Sequence, residues 1–266
     1  MTTDTEHGHQ DAPSRHLAPQ RQQRILDIVS SRRAARLEDL SNALGVSVAT
    51  ARRDVDELGS RGLLRRVHGG AVAIDVQREP HFEAKAVEAA EEKERIAAKA
   101  VGLLDPDDTV YLDSGSTVLA AARLLRGWDG LTVVTNSLPV AIELGGFGPR
   151  LILVGGEFRP TSQAFVGPLS RYLLENIHAT KALIGTYALS VEDGLSTTDA
   201  AEAFTKSLAV DRATEVIVLA DSRKLGAHSF AHAGRLDQID VLVTDGGADD
   251  HLVRTLQKAG ITVLKA

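Results

Sequence analysis

Apolar positions recur along this chain in two rhythms, and the change of rhythm divides it. From Arg21 the spacing is helical: Ile25, Leu26 and Val29 share one face. Leu37, Leu40 and Leu44 repeat the pattern, which stops at Gly45, a helix C-terminal signal. Ser47 follows at an N-cap position. A third helix is predicted over residues 48–61, with Val48, Ala51, Val55 and Leu58 three or four apart and Gly62 as its stop. LLRRVHGGAVAI then predicts a short β-ribbon turning at Gly69-Gly70.

Further on, the rhythm becomes that of buried strands. Unbroken apolar, β-branched runs occur at 109–112, 131–135, 151–154, 182–185, 216–220, 241–244 and 262–264, most of them separated by helical stretches. Such alternation predicts an α/β fold with a mostly parallel sheet covered on both faces. Residues 75–92 are charged, lack strand patterning and read as a linker running into a helix over 86–104. Residues 1–20, with Thr, Asp, Gln, Pro and three His, read as a disordered tail. The expected organisation is a tail at 1–20, a first domain at 21–74 with its helix-turn-helix at 35–54, the linker 75–92, and a second domain at 93–266.

Composition narrows the classes. At 266 residues the chain suits one or two domains. It has no cysteine, which excludes disulfides, thiol nucleophiles and Cys-ligated metal. No apolar run nears the ~18 residues of a membrane span, and the N-terminus lacks an apolar leader core, so no membrane partner is expected and a cytoplasmic location is. Aromatics at 4% argue against stacking on single-stranded nucleic acid. The net charge is −6, but residues 21–74 carry ten Arg against six acids, a local +4 on an otherwise acidic chain. A basic module on an acidic body suggests that one part meets polyanions.

Helix, helix, turn, helix and ribbon is the layout of a winged helix-turn-helix. The open face of the third helix offers Thr50, Arg52, Arg53 and Asp56, with Ser47 at its start. Arginine there can donate two hydrogen bonds to a guanine edge. Arg65, Arg66 and His68 on the ribbon can reach the DNA backbone or minor groove. Asp54 and Asp56 oppose DNA and are expected to face the protein or orient the arginines. Periodicity alone leaves open a three-helix bundle with a polar face.

In the second domain, four strands end in small or polar residues: Asp113-Ser114-Gly115-Ser116-Thr117, Thr135-Asn136-Ser137, Gly155-Gly156 and Asp221-Ser222. Ligands of open α/β sheets bind at the carboxyl ends of strands. Ser114 to Thr117, around a turn-forming glycine and opening a helix, suit a phosphate, although Ser and Thr also simply cap helices. Lys224 can reach that phosphate, and Asp199 and Glu202 can grip sugar hydroxyls. Lys206 stands four residues after Glu202, where a surface ion pair is the plain alternative. An isomerase-like enzyme using Asp113, Asp199 or Glu202 as base and Lys206 or Lys224 as electrophile remains an alternative, but no spacing singles out a base. His228 and His232 lack a third ligand, so neither metal nor cofactor is expected.

ATARRDVDELGSRGLLRRVHGGA closely resembles the signature of DeoR-type transcriptional regulators, in which a VS-x-x-T-x-RRD helix leads to a wing ending R-x-HGGA. Val46, Ser47, Thr50, Arg52, Arg53 and Asp54, then Arg66, His68, Gly69, Gly70 and Ala71, carry it; Ala51 and Val55 are smaller than the family's usual Ile and Leu. DSGST, TNS, GGEF-R, Gly194-Leu195-Ser196, the Glu202/Lys206 pair and LADSRKLG resemble the family's sensor domain. That domain is related in fold to ribose-5-phosphate isomerases. The resemblance implies a non-enzymatic repressor of sugar or related carbon metabolism, bound to double-stranded operator DNA as a dimer or tetramer and released by a phosphorylated sugar. It implies phosphate contacts from Ser114 to Thr117 and Lys224, and sugar contacts from Asp113, Asn136, Asp199 and Glu202 with Lys206 nearby. Val118 stands where a second Thr is frequent, and Thr186-Tyr187 where small residues are usual.

Overall fold

The computed structural model describes residues 18–32, 34–60, 64–67, 69–72 and 79–266. The chain forms two compact units that divide between residues 78 and 79.

The first unit contains α1 (Ala18–Arg32), β1 (Ala34–Arg36), α2 (Leu37–Leu44), α3 (Val48–Ser60), β2 (Arg65–Val67) and β3 (Gly70–Val72). Helix α1 starts inside the stretch read as tail; residues 1–17 lie outside the described residues. The apolar stripes meet in one core of Ile25, Val29, Leu37, Leu40, Leu44, Ala51, Val55, Leu58, Leu64 and Ala71. Gly45 ends α2 in the left-handed region at φ 63°, which its missing Cβ permits. The Ser47 hydroxyl accepts from the Thr50 amide at 3.2 Å and so caps α3. The ribbon gains a third strand, in the antiparallel order β1-β3-β2. Gly70 allows this pairing, because a Cβ there would meet the Ala35 carbonyl oxygen at 2.4 Å.

The second unit opens with α4 (Phe82–Val87) and α5 (Ala90–Val101). There follow β4 (Thr109–Leu112), α6 (Ser116–Leu124), β5 (Thr132–Thr135), α7 (Leu138–Leu144), β6 (Arg150–Leu153), β7 (Glu157–Arg159), β8 (Ala164–Val166) and α8 (Arg171–Glu175). The remainder is β9 (Ala179–Gly185), β10 (Ala188–Ser190), β11 (Gly194–Thr197), α9 (Ala200–Asp211), β12 (Ala213–Leu219), β13 (Ala231–Gly234), β14 (Val241–Thr244), α10 (Asp250–Lys258) and β15 (Thr262–Lys265). Residues 79–92, read above as part of a linker, belong to this unit. Phe82, 5% exposed, packs into its core, and α4 forms within the stretch.

Seven strands form one parallel sheet in the order β15-β14-β12-β9-β4-β5-β6. Period-two alternation divides each strand between two cores. Val110, Leu112, Val133, Ile217, Leu219, Val241 and Val243 pack with Ile96, Leu119 and Val140 of α5 to α7. Tyr111, Val134, Val216, Val218 and Leu242 pack on the other face with Leu174, Ala203, Val210 and Leu256 of α8 to α10. A hairpin, β7-β8, and a small antiparallel sheet, β10-β11-β13, add to the parallel core. From β4 the chain builds outward through β5 and β6, then crosses to β9 on the other side of β4. The sheet therefore reverses between β4 and β9, and ligands of such sheets bind at that reversal.

Candidate functional site

A cleft opens where β4, β9 and β12 end. It is lined by Glu79, Lys85, Glu88, Lys93, Ser114, Gly115, Ser116, Thr117, Ser162, Gly185, Thr186, Tyr187, Glu202, Lys206, Leu219, Arg223 and Lys224. Gly115, at φ 132°, turns the chain from β4 into α6. The hydroxyls of Ser114 and Thr117 make no hydrogen bond among the described residues, although both residues are buried. Gly185 lets β9 close on this loop, because a Cβ there would lie 2.9 Å from the Ser114 carbonyl oxygen.

Opposite stands the loop after β12. Asp245 holds it by accepting from the Ser222 amide at 2.6 Å. Lys224 is half-buried, sits 5.5 Å from the centre of the Tyr187 ring and makes no ion pair among the described residues. Burial lowers its pKa; Asp221 opposes this, and Lys85 and Arg223 add to it. Lys93, 4% exposed, is lowered to about 8 by burial, with Lys224 and Arg223 adding and Asp221 opposing. A helix amino end facing unpaired hydroxyls and an unpaired ammonium can hold an anion.

The other end of the cleft is a charge network. Lys206, 2% exposed, is ion-paired with buried Asp113 and donates to the Gly185 carbonyl at 2.7 Å. The surface ion pair with Glu202, the plain alternative for this lysine, gives way to a buried pair with Asp113. Burial raises the pKa of Glu202, with Lys206 opposing. Arg159 donates to Glu202 at 3.2 Å and lies 2.6 Å from Glu79, which accepts from Thr198 at 2.6 Å and pairs with Lys85 at 2.5 Å. Burial alone would raise the pKa of Glu79. The charge of Lys85 and hydrogen bonds from Arg159, Lys85 and Thr198 outweigh it and bring the value to about 2. A depressed carboxylate stabilises the fold above its unfolded pKa and loses that contribution as pH falls towards its folded one. Denaturation midpoints between about pH 5 and pH 2 should therefore fall more steeply for the native chain than for Glu79→Gln, and parallel curves would refute the shift.

Of the sequence-predicted cleft residues, Ser114, Gly115, Ser116, Thr117, Glu202, Lys206 and Lys224 line it, and Asp113 lies beneath through Lys206. Thr135, Asn136, Ser137, Gly155, Gly156 and Asp199 do not. Thr135 donates to the Leu112 carbonyl at 2.7 Å. Asn136 accepts from the Tyr111 hydroxyl and donates to the Phe165 carbonyl, both at 3.0 Å. Ser137 caps α7, and Asp199 caps α9 by accepting from the Glu202 amide at 2.9 Å. A Cβ on Gly156 would meet the Val166 carbonyl at 2.8 Å, so that glycine serves the packing of β8, while Gly155 is exposed. The β7-β8 hairpin covers the end of β5, where Asn136 bonds to Phe165 and Leu138 to Gln163. Sequence reasoning missed Glu79, Lys85, Glu88, Lys93, Arg159, Ser162 and Arg223. Arg159 lay within the GGEF-R stretch and Arg223 within LADSRKLG, but neither was singled out.

In the first unit, α3 buries Ala51, Asp54, Val55 and Leu58 and leaves Arg52 and Arg53 exposed. Thr50 is half-buried, and its hydroxyl lies 2.9 Å from that of Ser47. Asp54 turns inward and takes two hydrogen bonds from Arg21, at 2.5 and 2.9 Å. Asp56 pairs with Arg66 at 3.0 Å. Arg65 lies on β2; its side chain and the whole of His68 are outside the described residues.

The model described as the DeoR C-terminal sensor domain matches residues 88–246, and that described as the DeoR-like helix-turn-helix domain matches residues 21–77. The HTH-type transcriptional regulator GlpR of Haloferax volcanii is 39% identical over 249 residues, 93% of this chain and 98% of that protein. The lactose phosphotransferase system repressor of Streptococcus mutans is 34% identical over 238 residues, 88% of this chain and 94% of that protein. A solved ribose 5-phosphate isomerase A from Methanocaldococcus jannaschii overlaps 51% of this chain and 54% of its own, at 17% identity and a TM-score of 0.39.

Proposed function

Because the chain belongs to the DeoR family of transcriptional regulators, we propose that it represses genes of sugar or related carbon metabolism and that a phosphorylated sugar in the cleft controls its hold on operator DNA. Its relatives are transcriptional regulators, and it is a regulator rather than an isomerase-like enzyme. Helix α3 enters the major groove, where Arg52 and Arg53 read base edges and Ser47 and Thr50 hold phosphates. Arg65, Arg66 and His68 of the wing reach the backbone. Paired half-sites are bound by a dimer or tetramer in the cytoplasm.

The observation that carries the effector reading is the amino end of α6. Gly115, the unbonded hydroxyls of Ser114 and Thr117, and unpaired Lys224 share one cleft at the sheet's reversal. The opposite end, with Glu202 raised by burial beside Lys206, suits hydroxyl groups better than a second anion. A phosphate at one end and a polyhydroxy chain at the other describe a sugar monophosphate. Effector binding shifts the population towards a state with weaker hold on DNA.

Fluorescence anisotropy on the DNA upstream of the protein's own gene, with unrelated DNA as control, tests the reading. Tight selective binding should be relieved by one phosphorylated sugar and not by its free form. Equal effects of a sugar and its phosphate would overturn it.

A further inference from the structure

One wall of the cleft is the segment 79–88, the stretch of the second unit that follows the DNA-binding unit in sequence. It is held by the groups that an anion at α6 requires. Lys85 pairs with Glu79 at 2.5 Å. The Lys85 carbonyl accepts from the Ser116 hydroxyl at 3.2 Å and from the Lys93 ammonium. Lys93 also donates to the Glu88 carbonyl at 2.6 Å, and Arg223 donates to the Glu88 carboxylate at 2.5 Å. Ala89 closes the segment at φ 50°, a left-handed conformation that a Cβ disfavours. Phe82 anchors the middle in the core.

We propose that residues 79–88 act as a strap that competes with the effector's phosphate for Lys85, Ser116, Lys93 and Arg223, so that effector binding loosens the strap. This rests on the anion reading of the cleft given above. A phosphate dianion offers Lys85 a stronger partner than the carboxylate of Glu79, and it draws Arg223 off Glu88 while Asp221 keeps its bond to the guanidinium at 2.9 Å. It also draws the Ser116 hydroxyl off the Lys85 carbonyl. As the carbonyls at 85 and 88 lose donors, α4 and the strained turn at Ala89 lose their support. Phe82 keeps the segment attached, so the change is a loss of hydrogen bonding rather than departure. The coupling is reciprocal: weakening the strap strengthens effector binding by the same factor.

Amide hydrogen exchange on the full-length protein, with and without saturating inorganic phosphate, glucose 6-phosphate, fructose 1-phosphate, fructose 6-phosphate or ribose 5-phosphate, reads the strap directly. Exchange across residues 79–90 should accelerate by about threefold or more on binding, while the strands of the parallel sheet do not accelerate. In titration calorimetry, Lys85→Met should weaken phosphate binding by about tenfold and leave the strap exchanging fast whether or not ligand is present. Glu79→Gln should tighten binding, because it releases Lys85. Thermal melts check that both variants fold, and the exchange result on the native chain needs neither. If the native chain binds a probe while 79–90 slows or stays unchanged, the strap mechanism falls and the anion reading stands. A folded Lys85→Met variant with native affinity has the same consequence. If the native chain binds neither inorganic phosphate nor any of these sugar phosphates, the anion reading falls and the strap with it.

Discussion

The double variant Arg52→Ala/Arg53→Ala should lose sequence-specific DNA binding while keeping its fold and its response to effector. Both side chains stand exposed on α3, and neither makes an ion pair among the described residues. The acid between them and their helix core, Asp54, is turned inward and held by two hydrogen bonds from Arg21. The arginines are therefore free to meet a duplex without first breaking an internal contact. A bidentate base contact is worth about 1–3 kcal/mol, so losing two removes roughly 2–6 kcal/mol of specific affinity, at least about thirtyfold. Removing two positive charges from beside the DNA phosphates would also flatten the dependence of binding on salt. Anisotropy titrations against specific and unrelated DNA at several salt concentrations read both effects, and thermal melts should agree to within about 0.5 kcal/mol. Retained discrimination between the two DNAs would remove α3 from the recognition role. Arg66 should matter less, because Asp56 already holds it at 3.0 Å.

The same contrast between free and engaged charge explains what could be read from the sequence. The seven parallel strands were legible because each is a short apolar run, largely buried in the five inner strands and partly exposed in the edge strands β6 and β15, and 109–112 and 241–244 coincide with β4 and β14. The hairpin β7-β8 was not, because its three-residue strands carry Glu157 and Arg159 and leave Phe158 exposed. Its anchors are distant, Asn136 and Leu138, which bond to Phe165 and Gln163. Residues 79–92 fall within the stretch 75–92, which reads as a linker because it is charged and lacks strand patterning. Glu79 and Lys85 instead pair with each other and Glu88 with Arg223 of the cleft, and Lys93, just beyond the stretch, is 4% exposed between two carbonyls and Asp221. Polar composition predicts exposure only when the partners of the polar groups are unknown. For the same reason the residues 135–137 and 199 looked like ligand contacts, whereas their side chains cap helices and join strands.

Lys206→Met should produce the largest loss of stability of any single change considered for the second unit. Lys206 and Asp113 are 2% and 1% exposed, so removing the ammonium leaves a buried carboxylate without its charged partner. Breaking a buried pair from one side costs about 3–5 kcal/mol, a large share of the roughly 5–15 kcal/mol that holds a typical domain together. Trp128, the chain's one tryptophan, packs against the core of this unit, so its fluorescence in a denaturant titration reports the unit directly. Asp113 also accepts from the Gly185 amide at 3.1 Å, and asparagine can keep that bond without the charge. The double variant Asp113→Asn/Lys206→Met should therefore recover a substantial part of the lost stability. Equal instability of the single and double variants would mean that the loss comes from lost packing of the lysine stem rather than from an unpaired charge. Sugar-phosphate affinity separates the two roles of this lysine. If its ammonium only supports the β4–β9 reversal, the refolded double variant binds effector as the native chain does; if it also touches the sugar, stability returns and affinity does not.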